Sequence, residues 1–281
     1  MDLLLTDKTV LITGASGGIG RALARAFAAE GCNLVLTGHS NFEALQGWLA
    51  EHSFADRAIA EYADVTDLAE MQQAFKTGVK RFGRVDICVA NAGKWPAPNE
   101  RLDQMSPARF EETLRVNLLG SAWTAKAFME TLAANGPRAD GHGAALTFIG
   151  STAGRHGEPG HCDYAASKAA LRGLMLSLKS DIARIDPFAR VNVVEPGWTV
   201  TEMARPALEQ PGVISRIVRT MAMRQIAKAD DIARTVVALS SPAISRHTSG
   251  EVLTVSGGMD GRTLWGEDDI DEDAIRQRVK G

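Results

Sequence analysis

Short β-branched, apolar runs alternate with longer segments whose apolar positions recur every three to four residues, from the N-terminus to about residue 255. The strand candidates are Thr9–Thr13, Asn33–Thr37, Arg57–Tyr62, Asp86–Ala90, Ala144–Ile149, Arg190–Val194 and Val252–Val255. Between them the helical period predicts helices over Gly18–Ala29, Leu68–Phe82, Pro107–Ala134, Tyr164–Ile185 and Ala229–Leu239. Ser106 before Pro107 reads as a helix start, an N-cap hydroxyl followed by proline at the first helical position. Most strand candidates are continuously hydrophobic rather than alternating, as expected where both sheet faces are covered. The alternation predicts an α/β fold, a doubly wound parallel sheet of about seven strands, in one domain over residues 1–259. The pattern breaks after Gly258, where six of the seven positions Glu267–Asp273 are acidic. Residues 260–281 therefore read as an acidic C-terminal tail able to form a short docked helix.

Composition narrows the class. The chain of 281 residues carries 31 basic and 34 acidic side chains, a formal charge of −3, which supplies no broad basic field for nucleic acid. Apolar residues make up 45% and charged residues 23%, an ordinary globular balance. No apolar run approaches the roughly 18–20 residues of a membrane span. The opening Met1–Asp7 sets three leucines between acids, unlike a secretory signal. Three widely spaced cysteines, Cys32, Cys88 and Cys162, describe no disulfide framework. A soluble, cytoplasmic protein is expected, with neither nucleic acid nor membrane as partner.

The first candidate chemistry lies at Thr13-Gly14-Ala15-Ser16-Gly17-Gly18-Ile19-Gly20, after the first strand and at the start of the first helix. Glycines there let the backbone approach a pyrophosphate, and the helix start offers free N–H groups at the positive end of its dipole. The second strand ends Thr37-Gly38-His39-Ser40, without the Asp or Glu that would bind a ribose 2′-hydroxyl. His39, Ser40 and Asn41 are instead placed to donate hydrogen bonds to a 2′-phosphate, so NADP(H) is favoured over NAD(H).

Tyr164 and Lys168 stand one helical turn apart on one face. A phenol with a pKa near 10 is a poor base at neutral pH. A lysine charge about 4–5 Å away, at an effective dielectric near 20, is worth roughly 3–4 kcal/mol, some two to three pKa units. That would bring the phenol near 7, where proton exchange is efficient. Ser151 ends the fifth strand thirteen residues earlier, where doubly wound sheets bind ligands, with Thr152 as the competing hydroxyl. Asn117 falls within the predicted long helix Pro107–Ala134.

These motifs occur in the order found in the short-chain dehydrogenase/reductase family: Thr13–Gly20, Asp64-Val65, Asn91-Ala92-Gly93, Asn117, Ser151, Tyr164-x-x-x-Lys168, Pro196-Gly197-x-x-x-Thr201 and Gly257-Gly258. The chain resembles that family over roughly residues 5–259. The resemblance implies a Rossmann-type, NAD(P)-dependent oxidoreductase with a catalytic tetrad of Asn117, Ser151, Tyr164 and Lys168. Tyr164 would be the general acid or base, Ser151 would polarise the carbonyl, and Lys168 would lower the tyrosine pKa and bind ribose. Asn117 would hold a water linking Lys168 to solvent. The resemblance further implies cofactor contacts from Gly14, Ser16, Gly18, Ile19 and Gly20, from Asp64 and Val65 to the adenine, from Asn91 near its ribose, and from Thr199 and Thr201 to the carboxamide. Departures are Ala90, Glu195 and Ser256, none of them a proton-transfer group.

A secondary alcohol or ketone of small size is the implied substrate. The other readings are a 3-oxoacyl thioester reductase, sugar or polyol oxidation, and a non-catalytic NADP-binding sensor on the same fold. Three segments, Lys94–Asp103, Thr152–Asp163 and Trp198–Arg224, should surround the reacting carbon, with Trp95, His156, His161 and Trp198 as substrate contacts. No metal is expected. The Asp269-x-Asp271-x-Asp273 run lacks the glycine and glutamate of a calcium loop, and His142, His156 and His161 lack zinc spacing. Leu171, Leu174, Met175, Leu178 and Ile182 exceed what one core face needs, and a homotetramer is predicted. Asp269 and Glu272 have capping-box spacing for a terminal helix, with Trp265 expected to dock.

Overall fold

The computed structural model describes residues 1–280. Its strands are β1 (Thr9–Ile12), β2 (Asn33–Gly38), β3 (Ala58–Tyr62), β4 (Ile87–Ala90), β5 (Ala145–Ile149), β6 (Arg190–Pro196), β7 (Thr199–Val200), β8 (Ala227–Lys228) and β9 (Val252–Val255). Seven of them form one parallel sheet in the order β3-β2-β1-β4-β5-β6-β9. The helices are α1 (Gly18–Ala29), α2 (Phe42–Ala50), α3 (Leu68–Phe82), α4 (Pro107–Leu114), α5 (Gly120–Asn135), α6 (Ala153–His156), α7 (Cys162–Ile182), α8 (Arg205–Leu208), α9 (Val213–Val218), α10 (Ala229–Ser240), α11 (Pro242–Ser245) and α12 (Glu272–Lys280).

The sheet is covered on both sides, which is why its strands lack polar alternation. Val10 and Ile12 of β1 pack with Leu23 and Phe27 of α1 and Val236 of α10, whereas Leu11 packs with Phe75 of α3 and Phe128 of α5. The expected seven-stranded doubly wound α/β sheet is therefore present. The chain order reverses between β1 and β4, so the carboxyl ends of these neighbours open the crevice in which such sheets bind ligands.

Helix ends follow their caps. Asp67 accepts from the N–H groups of Ala69 at 2.7 Å and Glu70 at 3.2 Å, starting α3, and Gly83 ends it at φ 84°. Ser106 accepts from Arg109 N–H at 3.2 Å with Pro107 next in line, as its sequence indicated. The predicted Pro107–Ala134 helix is instead three pieces: α4, a π-helical turn over Arg115–Leu119, and α5. The catalytic-helix candidate starts two residues earlier than expected, at Cys162, and ends at Ile182.

The tail also departs from expectation. A terminal helix forms, but from Glu272, so Asp269 is no N-cap for it; the Asp269 carboxylate accepts from Gly266 N–H at 2.8 Å instead. Arg276 pairs with Glu272 one turn away. Trp265 is 67% exposed, so the expected docking is not made within the chain. Of the α7 apolar positions, Leu171, Met175 and Ile182 are buried against the sheet, whereas Leu174 and Leu178 line a groove with Ala122, Ala125 and Met129 of α5. Among the described residues no helix is long and apolar enough to cross a membrane.

Candidate active site

At the β1 end of the crevice, Gly14 turns the chain with φ +62°, and a Cβ there would lie 2.8 Å from Ala92 Cα. Both the dihedral and the space require glycine. Gly18 begins α1 against Thr201, which a Cβ would meet at 3.1 Å. The N–H groups of Ser16, Gly18 and Ile19 have no backbone partner among the described residues. Unpaired donors at a helix start, bordered by positions too tight for side chains, fit a pyrophosphate.

Asn91 lies across the crevice after β4. Its Nδ2 donates to Thr13 O at 2.8 Å and Gly14 O at 3.1 Å, so it splices the two strand ends rather than reaching outward. Val65 is buried after β3, and Asp64 is next to it. Burial works against the Asp64 charge, but hydrogen bonds from Thr66 and the nearby His39 outweigh it and hold the carboxyl below its usual range. His39 Nε2 is 3.9 Å from Asp64 Oδ2, its ring lies 5.4 Å from that of Tyr62, and Ser40 Oγ is 3.4 Å from its Nδ1. His39 and Ser40 are both exposed beyond Gly38, where an adenosine 2′ substituent would approach.

The tetrad candidates converge at the β4 and β5 ends. Ser151 follows β5 with its hydroxyl close enough to the Tyr164 phenol to lower its pKa, while its Oγ accepts from Ala153 N–H at 3.1 Å. Thr152, the competing hydroxyl, accepts from Arg262 at 3.2 Å. Lys168 Nζ donates to Ile149 O at 2.8 Å and lies 5.9 Å from the Tyr164 ring centroid. Asn117 sits in the π-helical turn, fully buried. Its Oδ1 accepts from Lys94 N–H at 2.8 Å, and its Nδ2 donates to Lys94 O at 3.1 Å and Ser167 Oγ at 3.0 Å. An ideal Cβ on Gly93 would stand 3.2 Å from both Asn117 Oδ1 and Lys168 Nζ, so this bare glycine separates the two groups.

The electrostatics differ from the expected direction. Burial raises the Tyr164 pKa above its ordinary value; the Ser151 hydroxyl opposes this and the Glu158 charge reinforces it. Lys168, committed to the Ile149 carbonyl, does not overcome that burial. Its own pKa is lowered by burial to about 8.

The four proposed substrate contacts are not equivalent. Trp95 stands edge-on to Tyr164 at 4.7 Å between ring centroids and 4.0 Å from the His161 ring. His161 is buried behind it, with Nε2 donating to Asn99 Oδ1 at 2.6 Å and its pKa lowered by burial and Arg109. His156 ends α6 near Met259 and Arg262, its pKa lowered by burial and by the arginines Arg262 and Arg155. Trp198 packs into a satellite cluster with Val213, Ile217, Met221 and Met259. Thr199 Oγ1 donates to Gly197 O at 3.0 Å, and Thr201 covers Gly18.

Two features escaped the sequence. Ser167, within the Tyr164–Lys168 turn, is the only side chain bonded to the Asn117 side chain among the described residues, and it donates on to Tyr164 O at 2.7 Å. Its position in the motif was the available signal. Arg262, from the segment after Gly258, reaches Thr152 and Glu158, and no local pattern marks it.

A doubly wound sheet with a glycine-lined first turn and a serine, tyrosine and lysine at its switch point is the frame of a dinucleotide-dependent oxidoreductase. Comparison with known proteins identifies the lineage. The short chain dehydrogenase family profile matches residues 8–212. The chain is 31% identical over 257 residues to an acetoacetyl-CoA reductase of Synechocystis, covering 92% of this chain and 98% of the relative. It is 34% identical over 263 residues to an L-rhamnose 1-dehydrogenase (NAD(P)(+)) of Azotobacter vinelandii, with the same coverage of 92% and 98%. A short chain dehydrogenase from Burkholderia cenocepacia, solved in complex with NADP, superimposes with a TM-score of 0.79 at 32% identity, covering 90% of this chain and 98% of that one. The chain belongs to the short-chain dehydrogenase/reductase family and is an NAD(P)-dependent oxidoreductase.

Proposed function

We propose that the protein interconverts a small secondary alcohol and its ketone, with Tyr164 as the proton-transfer group and NADP(H) preferred over NAD(H). The observation that carries this reading is the convergence of Ser151, Tyr164 and a buried Lys168 at the carboxyl ends of β4 and β5, with the Ser151 hydroxyl acting on the Tyr164 phenol and Lys168 Nζ 5.9 Å from its ring centroid. The bound nicotinamide would supply the hydride acceptor or donor. Gly14, Ser16, Gly18, Ile19 and Gly20 would hold its pyrophosphate side, Asp64, Val65 and Asn91 its adenosine side, and Thr199 and Thr201 its amide.

In reduction the Tyr164 hydroxyl donates its proton to the carbonyl oxygen, and Ser151 donates a second hydrogen bond to the same atom. In oxidation the same phenol oxygen takes the alcohol proton. The raised pKa keeps the phenol protonated at neutral pH, which loads the site for reduction. Lys168, with a pKa of about 8, carries its charge at neutral pH and stabilises the phenolate that forms when the proton leaves. Asn117 fixes the Lys94 backbone and, through Ser167, the first turn of the Tyr164–Lys168 helix.

The exposed His39 and Ser40, without a carboxylate at Gly38, support the NADP preference. The apolar groove between α5 and α7 supports association through these helices, in the homotetramer expected from the sequence. The test is kcat/KM for both cofactors over a panel of secondary alcohols and ketones. NADP should be preferred, and His39→Asp should move the ratio at least tenfold towards NAD. An unmodified protein that prefers NAD tenfold, about 1.4 kcal/mol, contradicts the cofactor reading.

A further inference from the structure

The C-terminal segment enters the active site from well beyond the family-matched residues. After the Gly257-Gly258 turn, Met223 N–H donates to Gly257 O at 2.8 Å and Asp260 N–H to Thr220 O at 3.0 Å, stitching the segment to the substrate-side loop. Arg262 follows, with its side chain only 10% exposed. Its Nε donates to Glu158 Oε2 at 2.8 Å and its Nη2 to Thr152 Oγ1 at 3.2 Å. Nη1 donates to Gly261 O at 3.2 Å and touches Met259 Sδ at 2.6 Å. Glu158 is 17% exposed. Arg262 bonds the hydroxyl of Thr152, the residue after Ser151, and the Glu158 charge acts on the Tyr164 phenol, so this ion pair borders the reacting pair.

The pair is balanced, and that decides which substrates it tolerates. A carboxylate or phosphate bound here would either lie against Glu158 or pull Arg262 away from it, stranding a largely buried carboxylate. An uncharged hydroxylated molecule meets neither cost. Glu158 Oε1 has no hydrogen bond among the described residues and is free to accept from a hydroxyl. His156, neutral beside Arg262, adds no charge to the cluster.

We propose that the Glu158–Arg262 pair determines specificity and selects an uncharged, polyhydroxylated substrate, a sugar or polyol, with Glu158 accepting from a hydroxyl near the reacting carbon. This rests on the reading of Ser151 and Tyr164 as the reacting pair. Arg262 thereby acts through Glu158 and Thr152, holding both in place.

The experiment compares polyols of four to six carbons with aldonates of the same carbon number, in wild type, Glu158→Gln and Arg262→Lys. Turnover is read as kcat/KM, and binding is read by calorimetry on Tyr164→Phe protein saturated with cofactor, alone and with each second substitution. Wild type should favour the polyol about tenfold or more. Glu158→Gln leaves Arg262 as an unbalanced cation and should move the ratio about tenfold towards the aldonate. Arg262→Lys keeps the charge but loses the fork, so it should weaken polyol binding while keeping the preference. A wild-type preference for the aldonate, or a Glu158→Gln ratio within threefold of wild type, overturns the proposal. Polyol-selective binding without wild-type turnover would count against Tyr164 and leave the pair standing, and turnover of ketones without polyol selectivity would do the reverse.

Discussion

Replacing Arg172 with methionine would strand the Glu195 carboxylate, which is fully buried at the end of β6. Arg172 holds it in a two-pronged contact, Nε at 2.6 Å and Nη2 at 2.7 Å, and Arg155 Nε stands at 3.7 Å from the same group. The pairing also raises the Arg172 pKa. Unit charges about 4 Å apart at an effective dielectric near 20 interact by roughly 4 kcal/mol. Removing one partner of a buried pair costs about 3–5 kcal/mol, because the other charge stays buried. The Arg172 side chain is 32% exposed and Arg155 remains, so the lower end applies, about 3 kcal/mol. Urea unfolding of wild type, Arg172→Met, Glu195→Leu and the double variant gives the cycle. The double variant should recover most of the loss, since no carboxylate is left to strand. A single Arg172→Met variant within about 1 kcal/mol of wild type would refute the reasoning, as would a double variant no better than the single. Because Arg172 shares α7 with Tyr164 and Lys168, the same variant should lower kcat more than it weakens cofactor binding.

Other consequences follow from single positions. Lys168 has a folded pKa of about 8 against an ordinary 10.5, so the unfolded chain binds more protons between those values. Stability of the cofactor-free protein should therefore rise across that window relative to Lys168→Met, by about 3 kcal/mol, and a flat difference in urea unfolding against pH contradicts the burial of a charged lysine. Gly14→Ala places a Cβ at φ +62° and 2.8 Å from Ala92 Cα, and should weaken NADP binding at least tenfold by fluorescence titration. An affinity within twofold of wild type would remove the glycine loop from the cofactor site.

Much of this architecture was legible because each strand carries its own signal. Strands such as Leu34–Leu36 and Leu146–Ile149 are apolar on both faces, and burial on both faces is what a parallel sheet imposes. The α1 and α3 bounds agree with the residues read from periodicity because glycine, aspartate and glycine punctuate them. The π-helical turn was not legible, since one extra residue in a helix shifts the phase of apolar positions too little to break a periodic pattern. Helix α2 was not singled out because it is short, and only Leu45 and Leu49 of its nine residues are buried, a weak periodic signal. At the site, residues within one motif turn were readable, whereas the pairing of Glu158 with Arg262 spans 104 positions and leaves no local trace. The direction of the Tyr164 pKa was misread because a charge at fixed spacing can be placed from sequence, but desolvation depends on everything packed around the ring, Trp95 included.

The central claim is that one transferable proton, on Tyr164, carries the chemistry. Tyr164→Phe removes that proton and keeps the ring against Trp95, so the measurement is kcat for the best alcohol or ketone alongside the cofactor dissociation constant of the same protein. Turnover should fall by about 10²–10⁴-fold, the usual worth of a positioned general acid or base, with cofactor affinity within threefold of wild type. A Tyr164→Phe enzyme that keeps turnover within tenfold of wild type would contradict the account.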